Sequence, residues 1–538
     1  MDSRTLTTLP QYMLYCALVT SLTSFSIGYV IGAPNIPESS IRGKDGDCGT
    51  NPYTVQAGFP NCFEFSDLTW GFAIGSFCLG ACVGGLVGGG IQNKYGRLKT
   101  MLLSNILFII GSLILGFTFH QTQFILGRIV IGSACGLGSV VAPTYLGEIA
   151  TIETRGTLGT FHQLFIVVGL VVSNLVGLVW STPPGWRITL ALNGVPALLQ
   201  CFFLPTMLET PRYLVSRRSL QEAQRSLQRF RGSEKEVDIL PEFKEIVNLL
   251  LGEQSGSEKE TRNPDQELDL LSTDGSRSAS AVAVASIQRG DSLTTAKSDL
   301  TTTVAEPPSP PLPPPTTSKI NRNQEPYGIL ELFRSECRDL AVIGILVHFL
   351  QQATGINCLV FYSTSFLANV FGSSHSKYIT VGTSCCSLVS TVCSLDLIRR
   401  FSRKSLMMAS FAGICLSSIM LVIGSFYDIG ILVAVAVFLF IGTFAFAMGP
   451  IPWLLLSELL PTYALSPASS VATGINWGTN FVIGLVFPSM AKGMGSATFI
   501  LFAVINFLGV LYIWYFVPET KGRTVEAVMA EKGVRPRS

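Results

Sequence analysis

Seven side chains stand out because polar groups sit inside otherwise apolar runs: Gln163 in FHQLFIVVG, Gln351, Gln352 and Asn357 in QQATGIN, Trp453 at the end of GPIPW, and Asn476 and Asn480 in NWGTN. An amide offers two donors and an acceptor oxygen without a net charge, and an indole adds one donor on a flat apolar body. That mixture suits a ring whose hydroxyls both donate and accept and whose C–H face packs on aromatics. Asn476 and Asn480 are four residues apart and share one helical face. The same amides equally suit hydrogen bonding between helices, and the residues alone leave both roles open. Their presence in both halves of the chain favours one central site. The four histidines are scattered without metal-ligand spacing, and no Gly-rich loop ending in GK[ST] occurs. The chemistry expected is reversible binding, not catalysis, with no cofactor and no metal.

The elements that must position these groups are membrane helices. The chain is 48% hydrophobic and 13% charged, with a mean hydropathy of +0.45, whereas soluble proteins carry about 25% charged residues. Apolar runs near 12–34, 68–90, 101–119, 124–146, 158–180 and 188–208, then 340–369, 377–398, 405–426, 430–456, 464–490 and 497–517, each suffice to cross a bilayer, which takes about 20 residues. Helix is the expected state, because backbone groups in lipid must bond within their own segment. The fold predicted is an all-α integral membrane protein of twelve spans in two pseudo-symmetric six-helix bundles, 1–208 and 337–518, followed by a tail at 519–538.

Loop signatures support the duplication. NKYGRLK (93–99) follows the second span and RRFSRK (399–404) the eighth; LETPR (208–212) closes the first half and PETKGR (518–523) the second. Basic residues gather on the even-to-odd connections, which places both termini and the 209–336 connection in the cytoplasm. A net charge of +2 gives no footprint for nucleic acid. No secretory signal precedes the first span, and no N-glycosylation sequon occurs. Cys48 and Cys62 fall in the first external loop, where an oxidising compartment would allow them to pair. Within the connection, Leu220, Ala223, Leu227 and Phe230 form one helical stripe, and Phe243, Ile246, Val247 and Leu250 another. Residues 253–325 are rich in Ser, Thr and acidic residues and hold PPSPPLPPP, a composition expected to stay disordered or partly polyproline II. It reads first as a tether and second as a site for a proline-binding protein partner.

GEIATIETRGTLGTFHQLFIVVG (147–169), LETPR, QQATGINCLVFYSTS (351–365), GPIPW, NWGTNF and PETKGRT together resemble the facilitative glucose transporters and the wider sugar-porter branch of the major facilitator superfamily. The resemblance covers nearly all of the chain except 253–325 and the extreme termini. It implies that Gln163, Gln351, Gln352, Asn357, Trp453, Asn476 and Asn480 bind a monosaccharide, most readily a hexose, between the halves. It implies that Phe361 and Tyr362 help close the site from outside, and that Pro450 and Pro452 soften the tenth helix. It further implies that Arg97, Glu148, Arg155, Glu209, Arg212, Arg403, Glu458, Glu519 and Arg523 form a cytoplasmic salt-bridge network between the halves.

Several positions depart from that pattern. Arg399 replaces a carboxylate, Leu465 an arginine, Ala445 a glutamate, and Ala447 and Met448 a Gly-Pro pair. Ser387 replaces an asparagine. His348, Phe349 and Leu350 stand where glucose-selective members carry Gln-Leu-Ser, which opens the choice to another hexose or a polyol. Val30 occupies the place of the aspartate found in proton-coupled porters, and a valine cannot cycle a proton. Facilitative uniport is therefore the leading expectation. A proton-coupled porter using Asp396, and a membrane sugar sensor signalling through its long loop, are the alternatives. Plasma membrane and an internal, vacuole-type membrane both fit.

Overall fold

A computed structural model describes residues 10–43, 58–151, 154–232, 236–251, 328–523 and 525–533. All regular structure among them is helical. The first half comprises α1 (Gln11–Gly32), α2 (Glu38–Arg42), α3 (Asp67–Tyr95), α4 (Arg97–Gly116), α5 (Gln121–Ile149), α6 (Arg155–Val179), α7 (Gly185–Ala191) and α8 (Gly194–Phe203). The connection holds α9 (Pro211–Ser216), α10 (Leu220–Arg231), α11 (Glu236–Leu251) and α12 (Ile329–Leu332). The second half comprises α13 (Arg338–Ala353), α14 (Ile356–Phe371), α15 (Ser373–Arg400), α16 (Arg403–Phe426), α17 (Gly430–Thr443), α18 (Ile451–Leu459), α19 (Thr462–Met494) and α20 (Thr498–Phe516), and α21 (Val525–Glu531) follows. The spanning helices belong to one compact unit, residues 1–244 and 326–537; of the other unit, residues 245–325, only the end of α11 is described. The stretch 253–325, with its proline run, lies outside the described residues.

Eleven helical stretches are long and apolar enough to cross a membrane. The last, Tyr463–Phe516, is 54 residues long, about 80 Å of helix against a core of about 30 Å. It is α19 and α20 joined by a tight turn at Gly495–Ala497, so the chain makes twelve crossings, and each falls within a few residues of its expected span. Capping residues set several starts. Ser66 accepts from the Thr69 N–H at the head of α3, and Ser402 from Ser405 at the head of α16. Between α3 and α4 the chain turns at Gly96 with φ +93°, and a Cβ there would lie 2.6 Å from Glu209 Oε2.

The two halves meet where α3 packs along α19 and α6 along α15. Two spans are broken beside this interface. Gly355, at φ +88°, separates α13 from α14. A single π turn, Phe444–Met448, separates α17 from α18, followed by Gly449 and the two prolines Pro450 and Pro452, which supply no backbone donor.

Candidate functional site

The breaks bring the amides together. Thr354 donates back to the Gln351 carbonyl (2.8 Å) and accepts from the Ile356 N–H (3.3 Å), which fixes the kink. Gln351 and Gln352 thus end one helix and Asn357 begins the next. Gln351 Nε2 donates to the Met448 and Gly449 carbonyls at 2.6 and 3.1 Å, satisfying acceptors exposed by the π turn. Asn476 donates to Gln351 Oε1 (2.7 Å) and accepts from Gln352 Nε2 (2.9 Å). Asn357 donates to Gln352 Oε1. Gln351, Gln352, Asn357 and Asn476 are therefore linked to one another by hydrogen bonds. Gln163, from the first half, makes no hydrogen bond among the described residues and packs beside Gly449, where a Cβ would lie 3.0 Å from its Nε2.

These groups surround a cavity of about 110 Å³ between the halves, lined by Gln163, Gln351, Gln352, Asn357, Asn476 and Trp453. On this scale one water needs about 10–15 Å³, so the space holds a small polar molecule or several waters. Six of the seven residues singled out from sequence line it; Asn480 does not. It is buried one turn farther along α19, about 6 Å away by helix rise, and its Oδ1 has no partner among the described residues. Sequence reasoning missed Asn35, Asn174, Ser384 and Trp477, which also line the cavity. Asn174 donates to Ser384 Oγ across the interface at 2.7 Å. The signal that found the other amides, a polar residue within an apolar run, applies equally to Asn174 in VVSNLVG.

Contacts between the halves flank the cavity at both ends. At the end bearing Asp67, Asn35 Nδ2 donates to the Val360 carbonyl (2.8 Å) and to Ser363 Oγ (2.9 Å) across the halves. Phe361 meets Phe77 edge to face at 5.7 Å. Tyr362 stays within its own half, donating to the Gly484 carbonyl (2.9 Å) and stacking on Phe487. At the opposite end, Asn93 Nδ2 donates to Ser466 Oγ (2.9 Å), the Gly89 N–H to Ser470 Oγ (3.1 Å), and Arg399 to Thr157 Oγ1.

The charged network differs from expectation: its described ion pairs lie within each half, not between the halves. Arg97 pairs with Glu148 at 2.6 Å, and Glu148 also accepts from Thr210 Oγ1 at 2.6 Å. Arg403 pairs with Glu458 at 3.1 Å, and Glu458 accepts from Thr520 Oγ1. Glu209 accepts from the Leu98 N–H, and Glu519 from the Arg403 N–H, both at 3.1 Å. Each arginine also donates to the carbonyl five residues before it, Gln92 or Ile398. The repeat of sequence signatures is thus a repeat of one hydrogen-bonded knot, built where an arginine at a helix start faces the glutamate ending another helix of its own bundle. Burial pushes the Glu209 carboxyl above its ordinary value despite two N–H donors. Burial acts the same way on Glu519, but there the surrounding N–H and hydroxyl donors outweigh it and hold the carboxyl below.

Arg523 pairs locally with Glu531 in α21. Arg212 is half-buried and makes no ion pair among the described residues. The Arg155 side chain lies outside those described. Cys62 is disulfide-bonded, and Cys48 lies outside the described residues.

Comparison with known proteins matches this architecture. The family described as "Sugar (and other) transporter" matches residues 16–289 and 315–531. The rabbit (Oryctolagus cuniculus) solute carrier family 2, facilitated glucose transporter member 3, is 28% identical over 532 residues, covering 96% of this chain and 92% of its own. The rat (Rattus norvegicus) facilitated glucose transporter member 2 is 30% identical over 478 residues, covering 86% and 77%. Among solved structures, the proton:xylose symporter XylE bound to 6-bromo-6-deoxy-D-glucose superposes with a TM-score of 0.72 at 22% identity, covering 97% of this chain and 99% of that one. The inward-open form of the xylose transporter XylE from E. coli gives 0.65. The fold is that of the major facilitator superfamily, and the chain belongs to the sugar transporter family.

Proposed function

We propose that this protein carries a monosaccharide, most readily a hexose, across a membrane by alternating access and without a coupled proton. The observation that carries the reading is the cavity between the halves, with a free amide from one half, Gln163, facing a set of amides and an indole from the other. A sugar entering it exchanges hydroxyls for the mutual bonds of Gln352, Asn357 and Asn476, while Trp453 supplies the apolar wall. In this reading Arg97, Glu148, Glu209, Arg403, Glu458 and Glu519 stiffen the cytoplasmic end of each bundle, and both termini lie in the cytoplasm. Phe361 and Asn35 close the outer end. Cys48 is the partner of Cys62 in the outer loop.

The absence of proton coupling is supported at two positions. Val30 carries no titratable group, and its carbonyl accepts from Arg128 Nη1 at 3.2 Å. Asp396 is half-exposed and paired with Arg400 at 2.8 Å, an ordinary surface ion pair, not a carboxylate in the transport path. A family of transporters likewise leaves no role for the chain as an enzyme. The test is hexose counterflow in proteoliposomes with Gln163→Ala. The half-saturation concentration should rise about tenfold, the loss of roughly one hydrogen bond to substrate, with unfolding temperature unchanged. An unaltered half-saturation in a folded variant would remove Gln163 from the site.

A further inference from the structure

Trp453 is held by two histidines, one from each half of the molecule. His162, in α6, meets its indole edge to face with centroids 5.5 Å apart, and His348, in α13, does so at 5.0 Å. Both imidazoles are buried, yet neither lines the cavity, whereas Trp453 does. Each ring is anchored through Nδ1, His162 to Ser24 Oγ of α1 at 2.8 Å and His348 to the Gly344 carbonyl at 3.0 Å. The His348 carbonyl also accepts from Asn476 Nδ2 at 3.1 Å, tying the same residue to the amide set. His162 Nε2 is fully buried and has no hydrogen-bond partner among the described residues. Leaving a buried polar atom unpaired costs free energy, and the aromatic neighbour that takes up this ring is Trp453.

We infer that His162 and His348 are positioning residues that clamp Trp453 from both halves and thereby set the sugar affinity and the inner closure of the site; this rests on the transport reading above. The clamp spans the interface between α6 and α18. Separation of the halves at the cytoplasmic end must part His162 from the indole, whereas His348, in the same half as Trp453, travels with it. A sugar packed on the indole stabilises the clamped arrangement, and the clamp in turn holds the indole against the sugar. The two histidines therefore do different work. His348 fixes where the wall stands, and His162 decides whether the two halves agree on it.

The experiment is a double-mutant cycle in the full-length chain, using His162→Ala, His348→Ala, Trp453→Phe and the two doubles with Trp453→Phe. Hexose counterflow gives half-saturation and maximal rate, and the emission spectrum without sugar, taken as parent minus its Trp453→Phe form, isolates Trp453. His162→Ala should raise half-saturation about 2- to 10-fold, the range expected of one edge-to-face ring pair, and shift the isolated emission to longer wavelength. The effect should vanish in the Trp453→Phe background. An equal effect of His162→Ala in both backgrounds, or an unshifted emission in a folded variant, would overturn the clamp. If the parent shows no hexose flux, the transport reading fails, while the emission difference still decides whether the histidines hold the indole.

Discussion

In the first bundle, a Cβ placed on Gly28, Gly132 or Gly169 would lie 1.8, 1.9 or 2.1 Å from a carbonyl oxygen of a neighbouring helix. In the second, a Cβ on Gly344, Gly413 or Gly509 would meet side-chain atoms at 2.3, 2.6 or 2.7 Å. At these positions the first half is packed backbone against backbone, the arrangement that small residues permit in membranes. The second is packed through side chains that can change rotamer, and it also holds the Gly355 break and the π turn beside the cavity. In the site, Gln163 of the first half is uncommitted, whereas Gln351, Gln352, Asn357 and Asn476 of the second are bonded to one another. The breaks beside the cavity thus fall in the second bundle.

The largest effect expected from this contrast is in the glycines. Gly132→Ala drives a methyl into the Phe77 carbonyl, and neither helix can yield without unpacking. It should cost about 3 kcal/mol or more and abolish folded protein in size-exclusion chromatography. Gly344→Ala meets chiefly one Leu456 methyl at 2.3 Å, which a rotamer change removes, so its thermal midpoint should fall only slightly. Equal losses in the two variants would erase the distinction between the bundles.

Next come the two arginine knots. Arg97→Ala leaves the part-buried Glu148 without its cation and also removes the contact of the guanidinium with the Tyr213 ring at 5.1 Å. Breaking a buried pair in this way costs about 3–5 kcal/mol. Arg403→Ala opens a longer pair, 3.1 Å, and should cost nearer 2 kcal/mol, the range of a single charged hydrogen bond. Unfolding in detergent should rank them in that order, and the reverse ranking would mean that the second knot carries the stability.

Within the site, Gln351→Ala should lower both sugar affinity and thermal stability, because it orphans the Met448 and Gly449 carbonyls and an Asn476 N–H. Gln352→Ala should weaken binding about tenfold by removing one hydroxyl partner, with a smaller loss of stability. The contrast with Gln163→Ala, which should change affinity alone, separates bonded from uncommitted amides.

The smallest effect is in pH. Glu519, held below its ordinary value, contributes stability that is present above the normal carboxylate range and is lost as pH falls through its lowered value in the folded protein. Glu209, held above, favours the fold in its protonated form; that contribution is full below the normal range and is lost as pH rises through the raised value. Melting between pH 4 and 8 should show Glu519→Gln losing stability at neutral pH and approaching the parent on acidification. Glu209→Gln should gain relative to the parent as pH rises. The same sign for both would mean that the repeated knots are electrostatically equal.

Much of this was legible in the residues, because hydrophobic run length and basic loops obey the bilayer directly. The repeated signatures announced a duplicated structure, and QQATGIN announced amides inside a span, though not the break at Gly355 that divides it. Sequence reading erred where spacing along the chain does not fix contact across it. Arg97 and Glu148 were expected to bridge the halves, but both their helices belong to one bundle. Asn480 shares a helical face with Asn476, yet the cavity ends a turn before it. Which atom faces each glycine sets the cost of a side chain there, and a list of glycines does not contain that.

The central claim is tested most directly by counterflow of labelled hexose in proteoliposomes holding the purified chain, with and without an imposed proton gradient. Saturable flux of equal size in both conditions is the predicted result. Flux that appears only with the gradient would contradict uncoupled transport and require a proton carrier elsewhere in the chain, and hexose binding without flux in either condition would contradict transport itself.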